Sequence, residues 1–195
     1  VPETLSGQPR ANMELLRGFA TLPDWPLFPE VFRMRTLAMA AYPMYRGVAR
    51  LVGMDAVAVG DDPAALLPAL EERSVNYDFF FLHVKGTDKA GEDGDFQRKV
   101  DIIERVDEVL PALREAGIGV TLITGDHSTP AKMKSHSWHP VPFLLHGGPG
   151  RGHRSEGTAG FGESECARGA LGTIRGCELM PLAAARAGRL GKFGA

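Results

Sequence analysis

The 195-residue sequence has only two cysteines, Cys166 and Cys177. Two are too few for a disulfide framework and are not spaced as a zinc knuckle, so both are expected as reduced thiols filling small core positions. No stretch approaches the roughly 20 apolar residues that a membrane-spanning helix needs, and Val1-Pro2-Glu3-Thr4 lacks the basic start and apolar centre of a signal peptide. A soluble cytoplasmic protein with no membrane partner is the expectation. Neither sign of charge dominates: 22 Lys and Arg stand against 24 Asp and Glu, a formal net charge of -2. No global field therefore recruits nucleic acid or an acidic surface. Composition carries no signal for oligomeric state. An initiating Met is also missing, which suggests a processed or partial chain. Pro2, Gly7 and Pro9 make residues 1–12 a linker or the end of an upstream segment.

What is present is enough apolar material, 44% of residues, for one sizeable core. Met13–Phe19, Thr36–Ala41 and Ala56–Val59 read as short strands. Helices are expected after Tyr42-Pro43, with Val48, Leu51 and Val52 on the inner face, and over Pro63–Arg73 behind the acidic cap Asp61-Asp62. Tyr77–Val84 is aromatic and apolar enough to predict a strand covered on both faces, running into a polar loop from Lys85 to Asp95. Phe96–Glu115 carries Val100, Ile103, Val106, Val109, Leu110 and Leu113 at helical spacing and stops at Gly117. It leads into the strand Gly119–Thr124, so strand, loop, helix and strand predict a βαβ unit. A strand at Pro142–His146, a glycine-rich loop over Gly147–Gly162, a helical stretch from Phe161 to Cys166 and a closing helix over Leu179–Ala187 complete an α/β pattern, a mostly parallel sheet flanked by helices.

Chemistry-bearing residues gather where these strands end. Asp88 and Glu92, four apart, follow one strand; Asp126 and His127 follow the next; His136 lies nine residues further on. Adjacent side chains in extended chain point opposite ways, so Asp126 and His127 could each serve one of two ions, the arrangement of two-metal phosphoryl-transfer sites. Taken singly, each residue has a plain explanation as a turn cap, a solvated charge or a loop histidine. Their joint occurrence at strand carboxyl ends shifts the balance, because ligands of open α/β sheets gather there. Carboxylate with imidazole suits manganese or zinc better than calcium. Arg46, between a strand end and a helix start, is placed to meet a phosphate, although a solvated surface Arg is the commoner outcome. Gly147–Ser155 lacks the Gly-Lys-Ser/Thr ending of a phosphate loop, and Gly162-Glu163-Ser164-Glu165-Cys166 has no second Gly for a nucleophile elbow.

Several blocks carry a resemblance: Asp126-His127-Ser128-Thr129-Pro130; His136-Ser137 with Pro140-Val141-Pro142; His83 through Gly91 with Asp93-Gly94-Asp95; and Ala41 through Met54. Cys166-Ala167-Arg168-Gly169 and the ending Lys192-Phe193-Gly194-Ala195 add to it. Together they resemble the archaeal-type cofactor-independent phosphoglycerate mutases, of the alkaline phosphatase-like metalloenzyme superfamily. The resemblance implies a partial alkaline phosphatase-like core, with residues 13–195 the C-terminal part of the metal-binding domain. It also implies an isomerase of glycolysis that interconverts 3- and 2-phosphoglycerate through a phosphoserine. Two divalent cations are implied, manganese first and zinc or magnesium as alternatives, without 2,3-bisphosphoglycerate. Carried over by motif, Asp126 and His127 hold one metal, and Asp88, Glu92 and His136 the other. Arg46 and Lys85 meet the substrate. The family usually has His where Glu92 stands, and Glu is the harder donor. Its nucleophilic Ser matches nothing here, so no catalytic residue is expected in this chain. A phosphatase of the same superfamily and a non-catalytic metal-binding remnant remain as alternatives.

Overall fold

The computed structural model describes residues 18–148 and 160–190, together with Glu3, Gly7, Arg10 and Leu16. In chain order the described elements are α1 (Phe28–Phe32), β1 (Thr36–Ala40), α2 (Pro43–Leu51), β2 (Asp55–Val57), α3 (Leu66–Arg73) and β3 (Phe79–His83). They continue with α4 (Gly86–Asp93), α5 (Phe96–Glu115), β4 (Val120–Thr124), β5 (Phe143–Gly147), α6 (Glu163–Cys166) and α7 (Leu179–Arg186).

Everything packs around β1, all five residues of which are buried. It lies between β2 and β3 in a parallel sheet of order β2-β1-β3, with Leu37 opposite Asp55 on one side and Ala40 opposite His83 on the other. Because successive side chains face opposite sides of a sheet, β1 feeds two cores. Leu37 and Met39 meet Leu66 and Leu70 of α3 and Leu113 of α5. Ala38 meets Ala49 of α2 and Met54. Helices on both faces of a parallel sheet give the expected α/β architecture.

Several expectations are corrected. The strand β4 pairs antiparallel with β5, Val120 opposite Gly147 and Thr124 opposite Phe143, and among the described residues no ladder joins it to β3. The chain reverses in the loop after β4, so the returning β5 takes the hydrogen bonds of that edge. Lys85 to Asp95 is not a loop: Gly86–Asp93 is helical, with Asp88 in its first turn and Gly94 at φ 74° ending it. The αL region is one that Gly enters without a Cβ clash. Phe81 of β3 is 38% exposed, so that strand is covered incompletely. On α2 the small Ala49 turns inward while Val48 and Leu51 are 50% and 39% exposed. Cys166 is half-buried and Cys177 exposed, so neither fills the core. Most of Met13–Phe19 and of Gly147–Gly162 lies outside the described residues. The closing helix has Pro181 in its first turn, where no N–H is needed.

Asp78, just before β3, ties the chain's last described segment to the sheet. It accepts from the backbone N–H of Arg35 at 3.0 Å, from Arg35 Nε at 3.0 Å and from Arg189 Nη2 at 2.9 Å. The side-chain and then the backbone hydrogen bond of Arg35 hold its carboxyl well below the usual carboxylate range. A depressed pKa in the fold gives stability that is complete above the unfolded value of about 4 and is lost as pH falls below it. Asp78→Asn should therefore lower the melting temperature at pH 7, and the gap from wild type should narrow as thermal melts move below about pH 4. A gap constant through the acid range would contradict this.

Candidate metal centre

The site forms where β3 and β4 end. After His83 the chain passes through Val84 and Lys85 straight into α4, which places Asp88 and Glu92 one turn apart on a shared face. After β4 it bends at Asp126 and His127. An isolated antiparallel bridge then joins Ser128 to Ser137, with Ser137 N donating to Ser128 O at 2.9 Å. Within that closed loop Pro130 O accepts from Met133 N at 2.9 Å and Lys134 N at 3.1 Å. This clamp makes neighbours of two histidines nine residues apart: the rings of His127 and His136 stand 3.9 Å apart, tilted by 34°.

Donor atoms from the three segments converge. Asp88 Oδ1 is 3.6 Å from His136 Nε2 and 3.9 Å from His127 Nδ1. His136 Nε2 is 3.5 Å from Glu92 Oε1, and His127 Nε2 is 3.6 Å from Asp126 Oδ2. All are longer than hydrogen bonds, so these groups do not satisfy one another. Donors each about 2.1 Å from one tetrahedral ion stand about 3.4 Å apart, so the spacings of His136 Nε2 to Asp88 and Glu92 and of His127 Nε2 to Asp126, 3.5 to 3.6 Å, fit ligands around small divalent cations. Asp88, His127 and His136 offer ligand atoms all within 4.8 Å of one another. The structure thus brings Asp88, His127 and His136 together, with Glu92 beside His136 and Asp126 beside His127. It corrects one detail: the bend puts Asp126 and His127 on the same side, with His127 N–H also donating to Asp126 Oδ1 at 3.1 Å.

Neighbouring groups keep both aspartates ionised. Burial opposes the charge of Asp88, but hydrogen bonds from Lys85 and Thr129 hold its pKa below the ordinary value. The Thr129 bond to Oδ1 measures 2.6 Å, and Lys85 Nζ is ion-paired with Oδ2. At Asp126, burial again opposes ionisation, but the 2.9 Å bond from Tyr45 OH, backbone N–H bonds and neighbouring His127 together outweigh it, leaving the pKa lowered. Burial and that same bond push the Tyr45 phenol up to about 12. Tyr45 also stacks on His83, rings 3.6 Å apart, and burial lowers the His83 imidazole.

Arg46 does not project freely: its Nη1 donates to Ala40 O at 2.7 Å and to Ala41 O, closing the carboxyl end of β1. Lys85 adds to its Asp88 pairing a position 5.8 Å over the Tyr42 ring. Sequence reasoning missed Tyr45, Thr129 and Gly91. Tyr45 and Thr129 lie inside blocks already singled out, but a phenol and a hydroxyl are not metal-type donors. Gly91 is required by a close approach, since a Cβ there would stand 2.2 Å from Thr129 O.

The chain belongs to the Metalloenzyme superfamily, whose family model matches residues 6–186. Within that superfamily it is similar to curated proteins named "Probable 2,3-bisphosphoglycerate-independent phosphoglycerate mutase". One from Thermotoga petrophila is 49% identical over the whole of this chain, and one from Thermus thermophilus is 48% identical; the chain spans 48% of the length of each. The chain therefore spans about half the length of the curated relatives it matches. Among solved structures, the PH0037 protein from Pyrococcus horikoshii aligns over 92% of this chain and 57% of its own, with TM-score 0.84 and 37% identity. A cofactor-independent phosphoglycerate mutase from Thermoplasma acidophilum shares the fold, with TM-score 0.62 and 23% identity over 85% of this chain and 39% of its own.

The atom nearest a Cβ at Gly91 is the backbone carbonyl oxygen of Thr129, which no rotamer change can move aside. Gly91→Ala should lower the stability of the chain by about 1–3 kcal/mol in urea unfolding, despite the better helix propensity of alanine. A midpoint equal to or above that of wild type would show that the loop does not press on α4.

Proposed function

We propose that this chain is the cation-binding part of a cofactor-independent phosphoglycerate mutase acting in the cytoplasm on 3- and 2-phosphoglycerate. The observation that carries the reading is the convergence of Asp88, His127 and His136 from three separate segments. In this reading Asp126 and His127 hold one divalent cation, and Asp88, Glu92 and His136 the other. Manganese is the first choice and zinc or magnesium the alternatives, since the donors mix carboxylate and imidazole. When bound, the cations would offset charge on a phosphoryl group in transfer and make a nearby hydroxyl a better nucleophile.

The chain's own residues prepare that site. Lys85 and Thr129 keep the Asp88 carboxylate ionised and fixed. Tyr45, braced on His83, does the same for Asp126. Arg46 and Lys85 are the proposed contacts for the substrate's phosphoryl or carboxylate oxygens. A guanidinium has five N–H donors, and the carbonyls of Ala40 and Ala41 engage only Nη1, so Arg46 keeps donors for an anion. The reacting serine, and the closure that would exclude water, are proposed to belong to the part of the relatives' length that this chain does not span.

Two measurements test the reading. Titration calorimetry should give saturable manganese binding that weakens at least about tenfold in Asp126→Asn, as loss of a charged ligand requires. Phosphorus NMR with 3-phosphoglycerate and manganese should show no 2-phosphoglycerate from the chain alone, because its nucleophile is supplied elsewhere. Absence of cation binding would overturn the proposal, and release of inorganic phosphate would favour a hydrolase.

A further inference from the structure

Thr129 is 3% exposed and sits between two of the proposed ligands. Its Oγ1 is 2.6 Å from Asp88 Oδ1 and 3.1 Å from His127 Nδ1. The backbone at this point is held from both sides: Lys99 Nζ donates to Thr129 O at 2.7 Å, and Gly91 leaves no side chain between that carbonyl and α4. Threonine therefore cannot drift away from either neighbour.

A hydroxyl has one proton to give and lone pairs to accept with. An ionised carboxylate only accepts, so the Thr129 proton goes to Asp88. The oxygen then presents a lone pair to His127 Nδ1. Two lone pairs facing each other at 3.1 Å repel, so Nδ1 must carry the imidazole proton. The free lone pair of neutral His127 is then on Nε2, the nitrogen that lies 3.6 Å from Asp126 Oδ2.

We propose that Thr129 is a positioning residue that fixes His127 as its Nδ1–H tautomer, leaving Nε2 as the ligating nitrogen on the Asp126 side. The cluster is thereby divided: His127 serves with Asp126, while Asp88 turns to His136 and Glu92. The cation part of this inference rests on the proposed function, whereas the tautomer does not.

The test uses histidine-labelled protein free of metal, with long-range proton–nitrogen NMR correlations and His127 assigned from a His127→Asn spectrum. Wild type should show a pyrrole-like Nδ1 and a pyridine-like Nε2 for His127. Thr129→Ser should keep that pattern, and Thr129→Val should move population towards the Nε2–H form. Calorimetry on the same proteins should give manganese affinity about 10–100-fold weaker in Thr129→Val and within a few-fold of wild type in Thr129→Ser. A pyridine-like Nδ1 in wild type, or a Thr129→Val spectrum unchanged from it, overturns the proposal; if Thr129→Val does not fold, the wild-type and Thr129→Ser spectra decide. The expected tautomer without any manganese binding would leave the positioning role standing and remove the cation reading alone.

Discussion

The close approach of the Thr129 loop to α4 is the constraint on which the site depends. At Gly91 the helix offers bare backbone, the Thr129 carbonyl fills the gap, and the threonine hydroxyl reaches Asp88. Helix α4 brings the carboxylates and the loop after β4 brings the imidazoles. Without that contact they would be two unrelated polar surfaces. The bridge between Ser128 and Ser137 completes the arrangement by turning the segment between them into a closed clamp. Ligand groups held by backbone contacts lose little freedom when a cation arrives, which is how a pre-organised site gains affinity.

The same logic extends outward through α2. Tyr45 reaches across from the helix after β1 to Asp126, and its ring rests on His83 at the end of β3. Arg46 caps the end of β1 through Ala40 and Ala41. Three strand ends are thereby tied to one another by side chains of a single helical turn and its neighbours. Burial of β1 on both faces, between α3 and α5 on one side and α2 on the other, supplies the rigid base.

Much of this was legible in the sequence, for identifiable reasons. The long helix over Phe96–Glu115 announces itself by periodicity, and the structure places it over those residues. The convergence of Asp88, His127 and His136 was legible because each lies in a polar segment that follows a strand. Pairing was less legible: β4 has the composition of a parallel core strand, and only the reversal after it turns β5 to its side. Asp88 and Glu92 sit on a helix because tertiary contact at Ala90 and Gly91 stabilises a segment whose glycines disfavour one. The roles of Thr129 and Tyr45 were hidden because each acts through another residue, and only coordinates reveal such a partner.

The central claim is that donors from three segments surround divalent cations. Adding manganese to the protein and following the imidazole resonances tests it most directly, because a paramagnetic ion broadens only nearby nuclei. The account predicts early, selective loss of the His127 and His136 signals, with His146, exposed on β5, spared until manganese is in excess. Uniform broadening of all histidines, or none at His127 and His136, would contradict it.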